Sequence, residues 1–192
     1  MSIIPFIATN GAPRDASYFQ DSFETRLACG NSWETSLTQY LQGQGLDRVY
    51  QPDQYITFRV ASGTFRTDPV SWRDRETSKL PQSLYSRFQR DIRVLHNGRG
   101  YNLEVKTKSG IFNNPTVLVG GIQTRWERYR FPVHYLVAID RTTGETRVTS
   151  ASKSNRASKW LQVASQELSY GVPVNLFGTL DQWLDHIRKT HR

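Results

Sequence analysis

The sequence predicts an α/β chain of the α+β kind, with one central mixed β-sheet flanked by helices and further helices at the C-terminal end. Three observations carry this. Asn97-Gly98 lies between two short alternating stretches, 90–96 and 99–108, and an Asn-Gly pair in that setting is the strongest short-range hairpin signal. Residues 133–139 form a nearly continuous apolar run, as a buried strand requires. Apolar residues recur at helical spacing on either side of the hairpin, at Trp33, Leu37, Tyr40 and Leu41 and again at Val119, Ile122, Trp126 and Tyr129.

In chain order, residues 1–20 read as an irregular arm broken by Pro5, Gly11 and Pro13. A helix is predicted over 31–41, ended by Gly43 and Gly45. A strand is predicted over 55–60. Residues 61–80 are polar and turn-rich, and a short helix over 84–89 leads into the hairpin. Residues 110–115 are a loop. The second helix follows from Val119 and Pro132 closes it. After the buried strand, Thr143-Gly144 turns the chain into a strand over 145–149. Two helices are expected at the end, over 158–168 and 179–189, the last capped by Thr179 or by Leu180-Asp181.

A chain of 192 residues fits one domain, and nine Tyr, nine Phe and five Trp give it material for a core. The expected division is an arm over 1–20, a core over 31–140 and a C-terminal strand with helices over 141–192. Lys and Arg number 25 against 17 acidic residues, a balance of +8 that favours polyanionic partners. Cys29 is the one cysteine, which excludes an internal disulfide framework and a cysteine-rich zinc site and suits a reducing cytoplasm. No apolar run reaches membrane-spanning length and the first residues lack a signal pattern, so no membrane partner is expected. The sequence holds no Gly-rich phosphate loop, no serine-nucleophile elbow and no dinucleotide fingerprint. The four histidines lack metal-binding spacing; His96 falls in the turn strand and His134 in the buried run.

The hairpin carries the chemistry. With Asn97 and Gly98 as a two-residue turn, His96 faces Arg99, and counting outward sets Asp91 opposite Glu104. Opposed side chains share a face, roughly 5 Å apart at Cβ. Lys106 projects from that face two residues further on. Two carboxylates side by side repel, and a bound cation relieves them; oxygen ligands suit Mg²⁺ or Mn²⁺. A three-residue turn would shift the register by one and separate the carboxylates. An exposed hairpin with mixed surface charge is the alternative.

Asp91, followed by Glu104-Val105-Lys106 on the next strand, resembles the signature of the PD-(D/E)XK nuclease superfamily. The proline that often precedes the aspartate is Arg90 here. The order helix, strand, hairpin, helix, buried strand is similar to the αβββαβ core of the restriction-endonuclease-like fold over about residues 31–140. The arm, the 61–80 insert and the C-terminal third have no counterpart. The resemblance implies Asp91 and Glu104 as metal ligands, joined by the Val105 carbonyl. Lys106 would orient water or stabilise charge on the phosphate, and a proton-accepting role would need a depressed pKa. Glu34, on the first helix, is either a catalytic carboxylate or the partner of an Asn31 cap; Glu24 is a weaker rival. Gln123 is either a catalytic-helix glutamine or a polar residue on a helix flank.

Basic residues fall in three groups: Arg66, Arg73, Arg75 and Lys79; Arg125, Arg128 and Arg130; and Lys153, Arg156 and Lys159. Trp72 and Trp160 are interleaved, as phosphate contact with stacking would want. Lys108 shares a face with Lys106 and is either a phosphate contact or a solvated lysine. The resulting expectation is a Mg²⁺-dependent DNA endonuclease of restriction or homing type. The alternatives are a junction-resolving or end-processing nuclease, or a silent nucleic-acid-binding module. A stand-alone homodimer or tetramer is expected, since cutting two strands with one site per chain is simplest in an oligomer. Cytoplasmic action by a phage or mobile-element enzyme is an expectation from analogy alone.

Overall fold

Helix α1 (Phe23–Gln42) starts where the Ser22 side chain accepts from the Thr25 N–H, and it ends at Gly43. It begins well before the Asn31 start that the apolar stripe suggests. Cys29, Trp33, Leu37 and Leu41, four apart, are fully buried, while Phe23 and Leu27 in the first turns are exposed. The early turns therefore lack the inward stripe that marks a helix in sequence. The computed structural model describes residues 2–17, 20–51, 55–59, 65–69, 91–118, 134–153, 159–162 and 168–190, with backbone alone for 55–59, 65–69, 159–162 and 168–170.

The strands among these residues are β1 (Ser2–Ile3), β2 (Arg48–Tyr50), β3 (Tyr55–Arg59), β4 (Phe65–Pro69), β5 (Ile92–His96), β6 (Arg99–Lys108), β7 (Thr116–Leu118), β8 (Tyr135–Asp140), β9 (Glu145–Ser150), β10 (Lys159–Gln162), β11 (Leu168–Pro173) and β12 (Gly178–Thr179). The class is mixed α+β. The main sheet runs β1-β9-β8-β6-β5-β2, with β12 also on β9. Its pairs are antiparallel except β6 with β8, which run parallel from Leu103↔Tyr135 to Lys108↔Asp140. A parallel pair needs a long crossover, and here it spans residues 109–134.

Strand β8 is covered on both faces. Val137 and Ile139 join α1 and the terminal helix α2 (Leu180–Lys189), while Leu136 and Ala138 meet Ile111, Val117, Val172 and Phe177 beneath the three-stranded sheet β10-β11-β7. Each fully buried Leu or Trp contributes roughly 1.5–3 kcal/mol of apolar transfer. A capping box between Thr179 and Gln182 opens α2, and Leu180, Trp183, Leu184 and Ile187 face inward at helical spacing. The N-terminal arm is tied down. Ser36 and Ser32 side chains accept from the Ile7 and Thr9 N–H groups at 2.8 and 3.1 Å, and Trp33 Nε1 donates to the Arg14 carbonyl at 2.8 Å.

Several expectations change. Strand β1 gives the arm regular pairing. The strand that flanks the hairpin is β2, whereas β3, over the predicted 55–60, pairs only with β4 as a separate ribbon. The helix expected over 158–168 is absent: β10 and β11 occupy 159–162 and 168–173, because pairing with each other and with β7 decides the conformation there. Among the described residues the C-terminal third holds strands and the helix α2. The helices predicted over 84–89 and 119–129 lie outside the described residues.

Candidate active site

Asn97 and Gly98 both take positive φ, 48° and 72°, the backbone of a two-residue hairpin turn that matches strand twist. Asp47 holds the turn, its Oδ2 accepting from the Asn97 N–H at 2.7 Å. The register follows: His96↔Arg99, Val94↔Tyr101 and, last, Ile92↔Leu103. The three-residue alternative is excluded.

The ladder then breaks. Asp91 does not pair directly across from Glu104; its N–H donates to the Leu103 carbonyl at 3.0 Å. Among the described residues, strand β6 continues to Lys108 paired only with β8 on its other side. This leaves a notch beside Glu104–Lys108. The Val105 N–H points into it, since alternate residues of β6 face β5. The Asp91 carboxylate fills the place of the lost strand, Oδ2 accepting from the Val105 N–H at 2.6 Å. The Val105 carbonyl lies on the same side of the strand and faces the same notch. Lys106 Nζ donates to Glu104 Oε1 at 2.6 Å, and both side chains are partly open, 31% and 18% exposed.

Glu34 reaches the same electrostatic neighbourhood from the middle of α1. It is not part of a cap, because the helix is capped by Ser22. Its carboxyl is raised to about 7 by burial first, then by Glu104, with Lys106 opposing. Asp91 is raised well above the usual carboxylate range by burial, then by Glu104 and Glu34, while Lys106 and the Val105 N–H pull it down. Burial alone would depress Lys106, but Glu104, Asp91 and Glu34 overcome it and hold it above the ordinary lysine value. The depressed pKa that a lysine base would need is therefore not found; Lys106 is a fixed ammonium.

Three carboxylates thus share one cation, and burial with mutual repulsion shifts Glu34 and Asp91 towards their protonated forms. Among the described residues no group of three or more His, Cys, Asp or Glu side chains is arranged to enclose a metal ion. The donor chemistry fits Mg²⁺ or Mn²⁺ all the same. Such ions keep several waters and need only one or two carboxylates. Asp91 and Glu104, with the Val105 carbonyl, supply hard oxygens.

Glu24 is exposed in the first turn of α1. Lys108 is exposed at the end of β6 and Lys153 is exposed after β9. Lys159 begins β10, in the second sheet. Gln123, Arg73, Arg75, Arg125, Arg128 and Arg156 lie outside the described residues. Two polar residues that share the carboxylate face, Arg93 and Asn102, escaped the sequence argument. Strand alternation from Asp91 and Glu104 would have found both. Among the described residues no helix is long and apolar enough to cross a membrane. No protein-family model, curated protein or solved structure matches the chain.

Proposed function

We propose that the chain is a divalent-metal-dependent endodeoxyribonuclease, with a restriction-endonuclease-like core and a site of the PD-(D/E)XK type. The observation that carries this is the notch where β5 stops and β6 runs on. There Asp91, Glu104 and Glu34 crowd around one ammonium, Lys106. The order α1, β2, β5, β6, crossover, β8 supports the fold assignment, and the +8 charge supports a polyanionic substrate.

Asp91 and Glu104, with the Val105 carbonyl, would hold Mg²⁺ or Mn²⁺. When bound, the ion supplies positive charge to the scissile phosphate and acidifies the attacking water. Asp91 is held for this by the Val105 N–H, which fixes one carboxylate oxygen. Lys106 stays protonated. It stabilises charge building on the phosphate and positions water by donating hydrogen bonds, and it does not take the proton. Glu34 loses its proton near neutrality, which adds negative charge to the site where the cation is to bind. Two copies of the chain would cut the two strands of a duplex.

The test is incubation with supercoiled plasmid, linear duplex, single strands and a four-way junction, in Mg²⁺ and in EDTA. Nicking or linearising of plasmid in Mg²⁺ alone is expected. Cutting restricted to the junction would move the assignment to a resolving enzyme. DNA binding without cutting of any substrate would make the chain a silent binding module.

A further inference from the structure

Arg93 lies directly opposite Asn102 in the hairpin, and Asn102 is one same-face step from Glu104 on β6. Such a step is about 6.6 Å along a strand. Arg93 Nη1 donates to Asn102 Oδ1 at 3.2 Å. The guanidinium lies flat over Gly100, where an added Cβ would come within 2.8 Å of Nη2, so a side chain at 100 would displace it. Asn102 is itself fixed. It is 3% exposed, and its backbone N–H donates to His134 Nδ1 at 3.0 Å while its carbonyl accepts from the His134 N–H at 2.9 Å. The histidine thus closes the end of the β6–β8 ladder. Its pKa is lowered by burial first and then by the Arg93 charge, so no second cation develops beside Arg93.

Arg93 is half-buried, and among the described residues no carboxylate pairs with it. A guanidinium has five N–H donors, and Asn102 uses one. A positioned cation with unspent donors, on the open face beside a carboxylate cluster, is suited to an anion's oxygens. We infer that Arg93, oriented by Asn102, binds the backbone phosphate next to the scissile one and sets the register of the DNA strand on the notch. The inference rests on the proposed nuclease function. Nη1, against the Asn102 side chain, is about one such same-face step from Glu104, comparable with the step from one phosphate to the next along a nucleic-acid strand, and Nη2 lies further off over Gly100.

The test is duplex affinity against salt, measured in Ca²⁺, for the wild type, Arg93→Gln and Arg93→Lys. Gln keeps a donor for Asn102 and removes the charge; thermal melting checks that each variant is folded. Removing one phosphate contact should flatten the slope of log affinity against log salt by roughly 0.9. From about 50 to about 200 mM salt, the Gln variant should therefore lose roughly 3.5-fold less affinity than the wild type. Lys should restore most of the slope, and Ca²⁺ affinity should not change. An unchanged slope in Arg93→Gln, beside a salt-sensitive wild type, overturns the Arg93 contact and leaves the nuclease proposal standing. A wild type that does not bind DNA overturns both.

Discussion

Glu34 titrates in the notch, and this can be measured on metal-free protein. Its carboxyl is raised from 4.5 to about 7, by burial and then by Glu104. The folded state therefore holds a proton that the unfolded state has released. For a raised acid the stabilising contribution is complete below the unfolded value and is lost as pH rises through the folded value. Moving from about pH 5 to about pH 8 in EDTA should cost about 2–3 kcal/mol on this account. For a chain of this size that corresponds to roughly 5–10 °C in melting temperature. Asp91 is shifted in the same direction and adds to the loss. His134 is shifted the opposite way, by burial and by Arg93, so its contribution is lost as pH falls. The difference between wild type and Glu34→Gln cancels the His134 contribution and all of the Asp91 contribution except the part that Glu34 itself causes. Urea or thermal unfolding across this pH range, in both proteins, is the assay. The wild type should lose the additional 2–3 kcal/mol, or about that, relative to the variant. Identical pH courses in the two proteins would refute the account of Glu34.

Divalent ions should reverse the effect. At about pH 8, Mg²⁺ at roughly 100 times its dissociation constant should stabilise the fold by about 2.7 kcal/mol, with less gained near pH 5 where the site is protonated; a melting temperature indifferent to Mg²⁺ at both pH values would count against the site. Lys106→Ala should lose cleavage while divalent-ion and duplex binding, followed by titration calorimetry in Ca²⁺, survive; lost affinity with unchanged turnover would make the lysine a phosphate contact alone. Gly144→Ala should be more harmful than Gly98→Ala, measured by urea unfolding. Both glycines have positive φ, costing alanine about 1–2 kcal/mol, but an added Cβ at Gly98 meets nothing while at Gly144 it would lie 2.5 Å from the Ile4 carbonyl.

What could be read in the sequence was what local chemistry dictates. Asn97-Gly98 requires two positive φ angles, so turn length and register followed, and with them the placing of Glu104 and Lys106 on one face. Thr179 and the inward spacing of Leu180, Trp183, Leu184 and Ile187 marked the last helix. Long-range effects were hidden. The first two turns of α1 expose Phe23 and Leu27, and Gly30 reads as a breaker, so the helix appeared to start late and Glu34 resembled a capping residue. Strands β10 and β11 take their form from pairing across the fold with β7, which no local pattern encodes. Alternation also placed Asp91 in the ladder. The end of β5 at Ile92 goes with the Asp91 carboxylate binding the Val105 N–H, a side-chain contact that strand alternation does not encode.

Single-turnover cleavage of duplex DNA by wild type, Asp91→Ala and Glu104→Ala, each in Mg²⁺ and in EDTA, tests the notch most directly. The wild type should cut only with Mg²⁺. Both variants should fall by roughly 100-fold or more, because each loses part of an ion's charge stabilisation of the transition state, while their melting temperatures in EDTA hold or rise. Wild-type rates in either variant, or undiminished cutting in EDTA, would contradict a metal-dependent site built from Asp91 and Glu104.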